Sequence, residues 1–195
     1  SVSFWFKNSS VSGNVVNIGG KIYFVMGSNR IECWNLGNVN GRADTTGVVW
    51  GTTWHNLTYV FDGSGATNED RVKVYVDGVL NSVIYQTTQP TSTAATSVST
   101  LIGSSIFGAD YNGNVDEVSV FDNAISIGDV WDGSGEPIDV SAVSGINNYY
   151  KMGETAIFSG GVWTLPDEVG SNDGISVNMD INDRVGDASG SLGNT

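Results

Sequence analysis

The chain is 195 residues long and strongly acidic: 21 acidic residues against 8 basic ones give a formal net charge of −13 at pH 7. Nucleic acids and anionic membrane surfaces both require neutralising Lys or Arg side chains, so this charge argues against either as a partner. No run of about 20 apolar residues occurs, so no membrane-spanning helix is predicted. With 26 glycines, 3 prolines and a lone cysteine, Cys33, the composition indicates one or two turn-rich domains without an internal disulfide.

The first part of the chain has the pattern of short β-strands. Val2, Phe4 and Phe6 occupy every second position, which is the period of a strand with one buried face. Further strands are predicted over residues 15–18, 21–26 and 30–36, with turn signals at Gly19-Gly20, Gly27-Ser28-Asn29 and Asn40-Gly41.

The central stretch, residues 54–83, contains the strongest structural signal. Leu57, Tyr59 and Phe61 alternate along one predicted strand, and after a polar loop a second strand follows with the same period. Asp77-Gly78 then predicts a two-residue type I′ hairpin turn, because that turn needs positive φ at both central positions. The sequence therefore predicts an all-β fold, an antiparallel two-sheet β-sandwich.

The rest of the chain divides at a glycine-rich boundary. A strand is expected over residues 115–120 and one helical turn within residues 125–131. Gly133-Ser134-Gly135 followed by Pro137 marks a boundary, which gives a sandwich over residues 1–133 and a C-terminal extension over residues 134–195. The extension is too apolar for a solvated linker, so we expect residues 148–152 and 174–179 to add strands to this or a neighbouring sandwich.

Four segments in order resemble one known family. Residues 3–7 (Ser-Phe-Trp-Phe-Lys), Trp54-His55, residues 73–78 (Lys-Val-Tyr-Val-Asp-Gly) and residues 113–121 (Gly-Asn-Val-Asp-Glu-Val-Ser-Val-Phe) resemble laminin G-like domains. The resemblance spans roughly residues 1–131 and implies the concanavalin A-like jelly roll.

The extension resembles a segment that normally stands in front of such a domain. Tyr149 to Glu154, followed by Asn172-Asp173-Gly174, is similar to the leader of laminin G-like domains in bacterial and phage proteins, here placed after the domain. This order would suit a parent chain built from several units. Residues 176–185 are similar to tails of structural proteins of marine tailed phages.

The sequence offers no catalytic constellation. Glycan cleavage on this fold needs two carboxylates a few ångströms apart on one sheet face. Asp116 and Glu117 are adjacent and are expected on opposite faces of a strand. His55 is the single histidine, and the family resemblance implies that it follows a packing tryptophan in a strand. We predict that the chain is not an enzyme.

Structural calcium is the one cofactor that the resemblance implies, because many relatives hold Ca²⁺ in loops at one edge of the sandwich. Calcium takes six to eight oxygen ligands and needs neither His nor Cys. Asp116 matches the family's acid, and Asp167, Asn172 and Asp173 are oxygen-rich residues of the leader-like segment. Ordinary turn formation and solvated acids are the alternative interpretation.

Sugar contact requires an exposed aromatic ring beside amide and carboxylate groups. Tyr111 between Asp110 and Asn112 satisfies that pattern, as does Trp34 beside Asn35. The alternative for both rings is the sandwich core.

Two functions remain open from the sequence. The first is a non-catalytic structural or adhesion module of a larger assembly: a capsid decoration or fibre unit of a phage virion, in contact with other protein subunits. The second is a carbohydrate-binding module of a secreted or surface protein. Either places the chain on a virion surface or outside the cell.

Overall fold

The computed structural model describes residues 1–8, 13–47, 51–95, 98–104, 110–184 and 188. Two six-stranded antiparallel sheets form a β-sandwich, which confirms the predicted fold class, and a third sheet has three strands. The strands are β1 (Val2–Asn8), β2 (Gly13–Ile18), β3 (Ile22–Met26), β4 (Ile31–Leu36), β5 (Asn40–Thr45), β6 (Trp54–Phe61), β7 (Val72–Val76), β8 (Val79–Leu80), β9 (Val83–Tyr85), β10 (Leu101–Ile102), β11 (Gly113–Phe121), β12 (Ile146–Tyr150), β13 (Ile157–Ser159), β14 (Val162–Leu165) and β15 (Gly174–Ile175).

The strand order shows how the chain closes its two layers. The first sheet has the order β12-β11-β1-β6-β7-β8, the second β10-β2-β3-β4-β5-β9, and the small sheet β13-β14-β15. Two short helical segments accompany them, α1 (Asn68–Arg71) and a 3₁₀ turn at Ile127–Asp129. Neither is long and apolar enough to cross a membrane, and no other described segment qualifies.

The core lies between the two large sheets and is built by the alternating positions. Phe4 on β1 packs on Phe24 of β3, with ring centroids 5.1 Å apart, and Phe24 meets the edge of Tyr59 on β6. All three rings are fully buried. Period-two patterning thus aims one face of each sheet at the other, while the outer face of the first sheet packs in part on a second hydrophobic cluster that includes Val60, Phe121 and Tyr149.

The central hairpin forms as predicted. Asp77 and Gly78 have φ values of 49° and 73°, and Val76 pairs with Val79 across the turn. A Cβ on Gly78 would overlap the indole nitrogen of Trp131, which itself stacks on Trp5 with centroids 5.6 Å apart. Gly78 is therefore required both by its backbone angle and by this contact.

Two local predictions were wrong. Asn40-Gly41 begins strand β5 instead of forming a turn, because the chain reverses earlier, where the Gly37 N–H donates to the Val39 carbonyl. The polar loop after β6 contains α1, whose capping box joins Thr67 and Asp70. Thr67 followed three residues later by an acidic residue was the signal that could have revealed this turn.

The extension adds one strand to the sandwich and builds the small sheet. Strand β12 pairs antiparallel with β11, with Tyr150 opposite Val118, and so forms the edge of the first large sheet. Residues 174–179 were expected to join a sandwich sheet as well. Instead, β15 pairs with β14, because Trp163 and Ser176 exchange hydrogen bonds beside this pairing.

Candidate functional site: a carboxylate cluster where the extension meets the sandwich

A β-bulge in β11 places two neighbouring carboxylates together. Opposite β1, Ser119 pairs with Ser3 and Asp116 pairs with Trp5, so the register shifts between them. Glu117 lies in this bulge with φ 51°. A bulge re-aims side chains locally, and the expectation that Asp116 and Glu117 point to opposite faces is therefore wrong.

A third carboxylate comes from the extension. Glu154 follows β12, and one oxygen from each of Asp116, Glu117 and Glu154 lies within 4.8 Å of the others. Asp116 and Glu117 are 2% and 5% exposed, and Glu154 is half-buried. These three residues form the carboxylate cluster, which the fold assembles from both parts of the chain.

Hydrogen bonds hold the cluster from two sides. The Asp116 carboxylate accepts the Glu117 N–H at 2.9 Å and the Ala188 N–H at 2.8 Å. The Tyr149 hydroxyl, on β12, donates to one oxygen of Glu117. The other oxygen, Oε1, is buried and has no hydrogen-bond partner in the described part of the chain. A buried oxygen of this kind is satisfied by a proton, an ordered water or a cation.

The electrostatics of the cluster favour proton uptake when no cation is bound. Burial raises the pKa of the Glu117 carboxyl to about 8, and the neighbouring charges of Asp116 and Glu154 act in the same direction, against the hydrogen bond from Tyr149. Burial also raises the pKa of Tyr149 above its usual range. Lys151 lies nearby, but its ammonium binds the Asp139 carboxylate at 3.1 Å.

The cluster fits a calcium ion. Oxygens within 4.8 Å of one another can share an ion at the Ca–O distance of about 2.3–2.6 Å. The donors are all hard carboxylate oxygens, which suit Ca²⁺ and not a thiolate- or imidazole-seeking metal. The buried Oε1 of Glu117 is the atom that such an ion would satisfy.

Three of the four predicted calcium ligands lie elsewhere. Asp167 accepts hydrogen bonds from the Asn148 amide at 2.7 Å and the Tyr149 N–H at 3.0 Å, and Asp173 accepts the Asp167 N–H at 3.0 Å. The Asn172 carbonyl accepts the Tyr150 hydroxyl. Backbone and amide donors thus engage this group, which shapes the loop after β14 and ties it to β12. Only Asp116 belongs to the carboxylate cluster.

The first predicted sugar contact is not available. Tyr111 is 9% exposed and packs in the core, and its hydroxyl donates to the Lys7 carbonyl at 3.0 Å. Asp110 and Asn112 are exposed on either side of it, while the Tyr111 ring itself lies inside the core. The alternative interpretation, that the Tyr111 ring belongs to the sandwich core, is therefore correct, because residues that precede a strand can fold inward under the sheet edge.

The second predicted sugar contact is also obstructed. Trp34 stands on the outer face of the second sheet between two neighbours: Tyr23 stacks on it at 5.6 Å and 7°, and the Arg42 guanidinium lies 5.2 Å from the ring. Register explains this, since Tyr23, Trp34 and Arg42 are directly opposite one another on adjacent strands. Asn35 is fully buried. Neither face of the Trp34 indole is therefore open to a sugar ring.

His55 lies in a line of polar groups. Its Nδ1 is 2.8 Å from Asp77, and its Nε2 is 3.2 Å from the Thr53 hydroxyl. The Asp77 carboxylate also accepts the Asn56 N–H at 2.8 Å. This second bond fixes Asp77 to the backbone of β6, so the arrangement secures the hairpin turn to its neighbouring strand.

A cavity of about 110 Å³ borders the carboxylate cluster, and no sequence pattern predicted it. Trp54 from the sandwich and Trp163 from the extension line it beside Asp116. Its remaining lining residues are Val115, Met152, Gly153, Ala156, Leu165, Ser176, Met179, Asp183 and Arg184. They come from distant parts of the chain, and no local spacing connects them.

The two large antiparallel sheets and their strand order define a two-sheet β-sandwich of the jelly-roll class. Within that class, the family is identified by its match to the sequence. The laminin G domain family of the concanavalin A-like lectin/glucanases superfamily matches residues 1–130, and the chain belongs to this family.

Three solved structures are similar to the chain at low sequence identity. A Bacteroides ovatus protein provisionally described as carbohydrate binding superposes with a TM-score of 0.61 at 17% identity, over 92% of this chain and 54% of its own. The chain thus spans about half the length of that protein. A heptameric SAP-like pentraxin from Limulus polyphemus gives a TM-score of 0.47 at 16% identity, covering 65% of this chain and 64% of its own.

A third structure, domains LG4-5 of the mouse laminin α1 chain, gives a TM-score of 0.45 at 12% identity, over 80% of this chain and 41% of its own. A comparison with curated proteins gave no match.

Proposed function

We propose that the chain is a non-catalytic structural and adhesion module of a larger assembly, with a calcium ion where the extension meets the sandwich. The observation that carries this proposal is the burial of the carboxylate cluster. Asp116 and Glu117 are closed off from solvent by the same extension that supplies Glu154 and Tyr149. Carboxylates in that position join two parts of one chain.

The same burial argues against glycan hydrolysis. A glycosidase needs one carboxyl to protonate the leaving oxygen and a second to act on the sugar, both open to a polysaccharide. Asp116 and Glu117 are adjacent in space but covered, and two backbone N–H groups bind Asp116. The purified chain should release no reducing sugar from β-glucans or agar.

The assembly is proposed to be a phage virion, and the chain is proposed to be a capsid decoration or fibre unit at the virion surface. The alternative location is another extracellular structure. The similarity of residues 176–185 to phage structural proteins supports this, as does a leader-like segment placed after the domain. Immunogold electron microscopy and mass spectrometry of purified source particles test the assignment. Regularly spaced label is expected, and particles that lack the chain would contradict it.

Carbohydrate binding is the second candidate, and the cavity is the observation that favours it. Trp54 and Trp163 supply indole rings, and the exposed Asp183 and Arg184 supply polar groups. The Bacteroides ovatus protein described as carbohydrate binding adds weight through its fold alone. A glycan array separates the two candidates: a specific signal lost in Trp54→Ala, with no particle association, would favour a lectin.

A further inference from the structure

The small sheet has one face turned inward and one turned outward. Phe158 and Trp163 pack on each other with centroids 5.0 Å apart, and Leu165 contacts the main core. Ile157 and Ile175 both pair with Thr164, so the three side chains form one row on the opposite face. Alternation along each short strand therefore separates the two surfaces.

The outward face is apolar and open. Ile157 and Ile175 are 60% and 73% exposed, and Val162 and Val177 are 39% and 76% exposed. None of the residues of β13, β14 and β15 carries a charge. On a chain of net charge −13, an uncharged and mainly aliphatic surface of this kind marks a contact with another protein.

The same surface ends in an open strand edge. Strand β15 is the last strand of its sheet, and the pairing continues one residue further, where the Ser176 N–H donates to the Trp163 carbonyl. No described strand pairs with the far side of residues 174–177. An edge with an apolar face is a template for an added strand.

Acidic residues flank this edge at both ends. Asp173 precedes β15 directly, and Asp180 and Asp183 follow within the next turn; all three are exposed. A second copy of the chain would bring equal negative charge to the same place and be repelled. A partner with Lys or Arg at the corresponding positions would be attracted.

We propose that the outer edge of β15 accepts an extended strand from a neighbouring protein subunit, with aliphatic side chains at alternate positions and basic residues at its ends. The aliphatic side chains lie on the row formed by Ile157 and Ile175, and the basic ends meet Asp173 and Asp180. This inference rests on the proposed function as an assembly module and names the chemistry of the partner.

A designed peptide tests the proposal directly. The probe is Lys-Lys-Thr-Val-Thr-Val-Thr-Val-Lys-Lys, and fluorescence anisotropy measures its binding to the full chain. Binding is expected, and Ile175→Asp and Val177→Asp should each weaken it by about tenfold or more, as hot-spot truncations do. Val79→Asp is the matched control, since Val79 is 70% exposed on β8 at the edge of a large sheet.

Further peptides and conditions define the outcome. A Glu-flanked version should bind about tenfold more weakly, and rising salt should remove most of this difference because exposed charges are screened. Hydrogen exchange should show protection of residues 174–177 when the Lys peptide is present.

Three results obtained with the full chain would overturn the proposal. They are equal binding of the Glu-flanked peptide, no binding of the Lys peptide, and self-association of the chain that Val177→Asp abolishes, which would assign the edge to a second copy. Removal of residues 185–195 tests whether the chain's own end occupies the edge: tighter peptide binding after that truncation would contradict a free site. Absence of the chain from source particles would refute the assembly role and leave the peptide result unchanged, so the two failures are distinguishable.

Discussion

The Tyr149 hydroxyl donates a hydrogen bond to the Glu117 carboxylate across 32 residues of sequence, and it joins the extension to the last strand of the sandwich domain. Both groups are buried, so neither can turn to water if the other is removed. This pair is the point where a single substitution probes how strongly the extension is attached.

Tyr149→Phe should lower the free energy of unfolding by about 1–3 kcal/mol, because it leaves a buried carboxyl without its donor. Urea denaturation followed by tryptophan fluorescence measures the loss. Tyr150→Phe is the matched control, since the Tyr150 hydroxyl donates only to the Asn172 carbonyl at 2.8 Å and is part-buried. Tyr150→Phe is expected to lower the free energy of unfolding by less than Tyr149→Phe does. An equal loss in both variants would contradict a special role for Glu117.

Stability of the metal-free chain should depend on pH through Glu117. Its folded pKa is raised from 4.5 to about 8, so between those values the folded state holds a proton that the unfolded chain has lost. The free energy of unfolding should therefore fall as pH rises from about 4.5 to about 8, then level off. Glu117→Gln should flatten this slope in urea titrations with chelator present. An unchanged slope would assign it to other groups.

Calcium should raise the melting temperature, because an ion that binds only the folded state stabilises it. Asp116→Asn and Glu154→Gln should each reduce the shift that millimolar CaCl₂ produces in differential scanning fluorimetry. Asp167→Asn is the control: it should lower stability by removing a hydrogen-bonded carboxylate from the loop but leave the calcium shift intact. A shift lost only in Asp167→Asn would move the site to the leader-like loop.

Calcium affinity should also rise as pH increases toward about 8, because Ca²⁺ binds the ionised form of Glu117. Isothermal titration at pH 6 and pH 8 measures the difference. Affinity independent of pH in this range would show that Glu117 is not a ligand.

Gly78→Ala should destabilise by more than Gly161→Ala. Both glycines are second residues of two-residue hairpin turns with positive φ, 73° and 86°. A Cβ at Gly161 would meet no atom within 4 Å, whereas one at Gly78 would overlap Trp131. Gly161→Ala thus measures backbone strain alone, about 1 kcal/mol, and Gly78→Ala adds the overlap with Trp131. Equal losses in thermal unfolding would show that Trp131 moves aside without cost.

Local patterning was sufficient for much of the fold. Alternation of Leu57, Tyr59 and Phe61 predicted strand β6, and Asp77-Gly78 predicted the turn between β7 and β8. Each of these features depends on residues close in sequence, whose pleat and backbone angles follow from their own side chains. The predicted resemblance to laminin G-like domains was confirmed by the family match over residues 1–130.

Local sequence patterns could not predict whether the candidate sugar-binding rings are exposed. Trp34 and Tyr111 have the composition of binding residues, but cross-strand neighbours cover one ring and the core encloses the other. Whether an aromatic ring is open depends on what the sheet places beside it, and adjacent strands come from separate parts of the chain.

The sequence by itself determined the sandwich and singled out Asp116, because strand period, turn chemistry and motif order are local properties. Only the tertiary structure brought Glu117 and Glu154 to Asp116. The bulge at Glu117 arises from pairing with β1, more than 100 residues away, and Glu154 arrives because β12 pairs with β11. Carboxylates come together through strand register, and register is set by the partner strand.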